Sequence, residues 1–224
     1  ILMRGRFGYV GPVLLIALTG VSLLVDVAPK LIGIAWVAFI AMAGMIPLGT
    51  RAARSGDAVR LVWGYGLASG AMVTSAAVFL LPGAINHHPE FGGFGVAAGV
   101  VIGYSAHTIG HRLTHVNVPF EDTALRLTAH ALAAGLVIGA VYAAMPDLGP
   151  LLGLAIISHK GPAGYAAARR LREAGKPVSM LLLPAAGVGI TALPVAAIGL
   201  PGSAVSNAIL FGFASGVFFH VAMD

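Results

Sequence analysis

The chain has 224 residues, 58% of them hydrophobic and 9% charged, with 31 glycines and a mean hydropathy of +0.93. A water-exposed domain carries roughly a quarter of its residues as charges, so this composition excludes a soluble globular protein and points to an integral membrane protein. There is no cysteine, which removes disulfides, thiolate zinc sites, iron–sulfur clusters and cysteine nucleophiles together and leaves His, Met and carboxylates as ligands. The net charge of +5 and pI near 10 are not massed on one soluble face. The expected partner is therefore the lipid bilayer and not nucleic acid.

At about 20 residues per crossing, the length accommodates roughly eight transmembrane helices in a single domain, 1–224, and no soluble domain of useful size. Apolar runs bounded by Gly, Pro or charge fall at 10–27, 31–49, 61–82, 94–112, 124–145, 149–168, 178–199 and 204–223. They are continuously apolar, without the two-residue alternation of a barrel strand, so the predicted fold is all-α.

Taken in order, the run 10–27 has no small-residue cleavage signature and reads as a retained helix. The turn Ala28-Pro29-Lys30 leads to the second helix, and Arg51, Arg54 and Arg60 lie before and at the start of the third. The fourth carries His107 and His111, with His115 just beyond; the fifth carries His130 near its start, and the sixth carries His159 and Lys160 midway. The seventh is apolar throughout, and the eighth ends with His220 and Asp224. His87 and His88 fall in the loop after the third helix.

If eight helices alternate, Arg4, Arg6, Arg51, Arg54, Arg60, Arg112, Arg126, Arg169, Arg170, Arg172 and Lys176 share one side, leaving only Lys30 and Lys160 elsewhere. The positive-inside rule makes that side, and both termini, cytoplasmic at a cell membrane. Glycines such as Gly135, Gly139, Gly161 and Gly164 recur within helices, where they let backbones approach closely. With Pro162, they are expected to let the fifth and sixth helices meet. The echo of Gly66-Leu67-Ala68-Ser69-Gly70 in Gly212-Phe213-Ala214-Ser215-Gly216, in helices of opposite direction, leaves an inverted repeat open.

Ionisable side chains inside a bilayer are costly unless paired or facing a cavity. His107, His111, His130, His159 and His220 come from four separate helices, and most of them fall in the cytoplasmic half of the bundle, so a common cavity is expected. A single membrane histidine is as readily satisfied by a helix carbonyl; clustering lifts His130 and His159 above that background. Met72 reads as packing or as a soft ligand, and Asp224 as a terminal charge or a ligand.

The segment Thr128-Ala129-His130-Ala131-Leu132-Ala133-Ala134-Gly135, followed one helix later by Ser158-His159-Lys160-Gly161-Pro162-Ala163-Gly164, resembles the paired metal motifs of the ZIP (Zrt/Irt-like) metal transporters, HNxPEG and H(E/K)xPEG. The third helix, with Ala68-Ser69-Gly70-Ala71-Met72 and ending Leu80-Leu81-Pro82, is similar to that family's second helix, and residues 213–224 to its seventh. The resemblance covers 31–224, with 10–27 as an extra helix in front and the family's last helix without a counterpart. It departs at Ala131, where the motif has Asn, and at Ala134 and Ala163, where it has Glu.

The resemblance implies a ZIP-like bundle moving a divalent ion, Zn, Fe or Mn, through His130 and His159 with Met72, His107 or His220, and Asp224 supplying negative charge. A second function stays open. Neutral imidazoles among His107, His111, His130, His159 and His220, without the carboxylates, suit b-type haem and an electron-transfer subunit. A third is a structural subunit, as a homodimer or in a larger membrane complex. No HExxH, GxSxG, phosphate loop or paired intramembrane carboxylate is present, so no enzyme is expected.

Overall fold

Eight helical rods follow one another in the computed structural model, which describes residues 6–54, 58–113, 122–144, 149–199 and 202–223. No strand occurs among the described residues. The first rod, α1 (Val10–Leu24), is entered through a 3-10 turn at Phe7–Tyr9. Next, α2 (Pro29–Ala52) begins on Pro29, whose fixed φ suits a first turn and whose missing N–H is one that the first turn leaves unused.

The third rod, α3, runs through Ala58–Ser75, a π-helical turn at Ala76–Leu80 and Leu81–His87. In that turn the Leu81 amide donates to the Ala76 carbonyl, five residues back. Pro82 follows at once, with no N–H for the α-helical bond to Val78, so the widened turn sits where the regular ladder is interrupted. Then come α4 (Pro89–Leu113), α5 (Asp122–Ala144), α6 (Gly149–Glu173), α7 (Leu182–Ile198), preceded by a 3-10 turn at Val178–Leu181, and α8 (Ala204–Met223).

Six rods are long and apolar enough to cross a membrane: the segments Phe7–Leu24, Pro29–Ala52, Val62–His87, Thr123–Ala143, Val178–Ile198 and Ala204–Met223. The other two, α4 and α6, have 25 residues each and are the ones that carry His107 and His111, and His159 and Lys160. The protein is thus an all-α, membrane-like bundle.

Lipid tails solvate a helix about as well as another helix does, so helices associate in a bilayer through close van der Waals contact and inter-helix hydrogen bonds. Glycine supplies that contact here. Gly92, Gly95 and Gly99 of α4 lie against Gly212, Phe213 and Gly216 of α8, and Gly103 lies against His220. Gly135 and Gly139 of α5 lie against Val188, Thr191 and Ala192 of α7. Gly164 of α6 and Gly49 of α2 join that pair through Met42 and Tyr165, and Gly11 of α1 lies against Leu182 and Leu183 in the first turn of α7. Polar side chains add to the glycine contacts. Thr191 donates to the Leu132 carbonyl (2.7 Å), and Trp36 Nε1 donates to Thr19 Oγ1 (3.1 Å).

In each of these four pairs, residue numbers rise together along both helices, so α1 runs parallel to α7, α2 to α6, α4 to α8 and α5 to α7. Each pair joins helices of the same parity, as full alternation across a membrane demands. Exchanging α2 with α7 and α6 with α5 carries one glycine-mediated pair into another of opposite direction, the relation that an inverted repeat produces. The GxASG echo does not share it in detail. Gly216 is buried on α4, whereas a side chain at Gly70 would meet open space.

The two sites therefore differ in tolerance. A Cβ at Gly216 would fall on the Val96 carbonyl, and overpacking of this kind costs about 1–3 kcal/mol. Gly216→Leu should markedly lower the apparent Tm in detergent, read by size-exclusion recovery after heating, while Gly70→Leu should leave it nearly unchanged. Equal losses at both positions would contradict the packing.

Candidate functional site

Helix α5 delivers His130 and α6 delivers His159 to one place inside the bundle. Their ring centroids are 6.1 Å apart, with ring planes at 67°. The ring of Phe218, from α8, lies 6.0 Å from His130 and 5.6 Å from His159. Three helices thus close a triangle of two imidazoles and one phenyl. His130 precedes Gly135 by the same interval as His159 precedes Gly164, and those glycines pack on α7 and α2. The two imidazoles therefore occupy matching positions in the two related helix pairs.

Both ring nitrogens of His130, and Nε2 of His159, are buried with no hydrogen-bond partner among the described residues. His159, 2% exposed, also has another interaction. An unsatisfied buried polar group costs about 1–3 kcal/mol, and His130 carries two such nitrogens beside the second imidazole, an arrangement that could take a ligand. Lys160, the next residue along α6, is likewise 2% exposed. Among the described residues no group of three or more His, Cys, Asp or Glu is gathered to hold a metal. The two imidazoles are thus a partial donor set, with no carboxylate gathered beside them among the described residues.

Other predicted residues are placed as follows. Met72 is buried in the same apolar cluster as Phe218, Ala131 and Ala134. His220 turns toward α4, against Gly103 and with its ring 6.3 Å from that of Tyr104. The side chains of His107 and His111 and the whole of Asp224 lie outside the described residues. His87 bonds to the Gly83 carbonyl (2.8 Å) and stacks on Phe211, while His88 meets the edge of Phe91.

The expectation that glycines bring α5 and α6 together is corrected. Gly135 serves α7 and Gly164 serves α2, and α5 and α6 meet directly over only a small area. The sequence reading also missed Phe218 and Ser215. Ser215 is fully buried on α8, one turn before Phe218, and its Oγ has no partner among the described residues. A serine and a phenylalanine in an apolar helix carry no signature of their own; their three-residue spacing puts both on one face, but that alone does not mark a site.

The chain matches no protein-family model and no curated protein.

If the His130 imidazole is held for a ligand and not for the fold, His130→Leu should preserve or raise the apparent Tm of the metal-free protein. Any Tm increase that Zn causes in the wild type should disappear in the variant. A strong loss of stability in metal-free His130→Leu would show that the imidazole has a structural partner instead.

Proposed function

We propose that this is a ZIP-like membrane protein that binds a divalent ion, Zn, Fe or Mn, within the bilayer and passes it across by way of His130 and His159. The observation that carries the reading is the pairing of two imidazoles from separate membrane helices at 6.1 Å, with both nitrogens of His130 buried and unpartnered among the described residues. With metal–nitrogen bonds of about 2 Å, two imidazoles on one ion hold their centroids roughly 5–6 Å apart. Small ring rotations are enough to close on a shared ion.

Water and helix carbonyls complete the coordination. Pro162 lies inside α6, three residues after His159, and interrupts the regular helical ladder there. Two protein ligands hold an ion loosely, which suits conduction, where binding must be strong enough to admit the ion and weak enough to release it. Phe218 weighs against the haem alternative, since its ring lies against both imidazoles where a porphyrin would need space. A Soret band removed by His130→Ala would favour haem instead.

Charge sets the affinity. Ala134 and Ala163 each lie one turn beyond a histidine, on the same helical face, where the resembled motifs carry Glu. In Zn titrations of purified protein by calorimetry, His130→Ala and His159→Ala should each abolish binding. Lys160→Met should tighten it by about tenfold or more by removing a nearby positive charge, and Ala134→Glu with Ala163→Glu should tighten it further. Unchanged binding in both histidine variants would sink the reading. For the orientation with both termini cytoplasmic at a cell membrane, Lys176→Cys should react with an impermeant thiol reagent only from the cytoplasmic side and Asn86→Cys only from outside. The reverse pattern would contradict it.

A further inference from the structure

Away from the histidines, a groove of about 620 Å³ opens between α2, α3 and α6. Met45, Leu67 and Pro162 form its apolar floor, Trp63 and Tyr165 its aromatic wall, and Arg51 is the only charged lining residue among the described residues. Arg51 ends α2 and Trp63 lies in the first turns of α3, at the end of the bundle where Arg54, Arg170 and Arg172 also gather. Met45 lies about 9 Å below Arg51 at 1.5 Å of rise per residue. The groove thus descends from a charged rim into the hydrocarbon zone.

Among the described residues no acidic side chain pairs with the charge at its mouth. Arg169 nearby is ion-paired with Glu173 at 2.8 Å, but Arg51 has no such partner among the described residues. A guanidinium matches a phosphate in charge and in its forked donor geometry. Trp and Tyr favour the headgroup level. A zwitterionic lipid brings a cation of its own, for which the described lining residues offer no carboxylate, whereas an anionic lipid does not.

We propose that the groove binds an anionic phospholipid of the arginine-rich leaflet, with its phosphate on Arg51 and one acyl chain along Met45, Leu67 and Pro162. This depends on the bilayer placement and not on metal binding. Trp36 and Trp63 are the only two tryptophans, so the Trp36→Phe protein carries a single reporter inside the groove. Reconstituted in phosphatidylcholine vesicles with a minor fraction of phosphatidylglycerol, Trp63 should be quenched about threefold or more strongly per mole by chain-brominated phosphatidylglycerol than by chain-brominated phosphatidylcholine. Arg51→Gln, a change at an exposed position, should erase that selectivity, Arg51→Lys should keep part of it, and Leu67→Phe should reduce quenching by both lipids. Equal quenching by the two lipids, or selectivity that survives Arg51→Gln, would overturn the proposal.

Discussion

Close approach of parallel helices through glycine is the constraint on which the rest of the bundle depends. In lipid there is little hydrophobic gain when one apolar helix leaves the tails for another, so contact distance decides which helices associate. At Gly99, Gly135, Gly164 and Gly216 the facing element is backbone, so that any side chain would strike a carbonyl. Because the closest partners run parallel, the chain must return between them. The alternation of eight rods and the placing of α5 and α6 beside one another follow from that requirement.

The histidine pair inherits its geometry from these contacts. α5 is held by α7 and α6 by α2, and the two histidine helices themselves touch only lightly. The same arrangement leaves His130 without hydrogen-bond partners among the described residues, a stability cost of the kind that functional sites retain. Lys160 is buried next to His159 in sequence, and Ala134 and Ala163 bring no negative charge, so under the proposed function an ion would rely on imidazole coordination and not on carboxylates.

Much of this was legible in the sequence, because long apolar runs and clustered arginines are set by the membrane itself. The rod boundaries were less so. Arginine is a good helix former, so α6 continues past the hydrocarbon zone to Glu173. Pro82 read as the end of the third helix, yet the helix passes through a π turn and continues to His87. Pro89 opens α4 with Glu90 in its first turn, favourable to the helix dipole, several residues before the apolar run begins. In the candidate site, His130 and His159 could be read as a pair, but the partners of Gly135 and Gly164 depend on tertiary neighbours that no local pattern encodes. Phe218 was invisible for the same reason, and His220, two residues on, was chosen in its place although it faces α4.

The most direct test of the account is the coordination of a bound ion, read by zinc K-edge X-ray absorption on the purified protein loaded with one equivalent of Zn. The account predicts two imidazole nitrogens at about 2.0 Å completed by oxygen ligands, falling to one imidazole in His159→Ala. An all-oxygen shell in the wild type, or an imidazole signal that His159→Ala leaves unchanged, would contradict it.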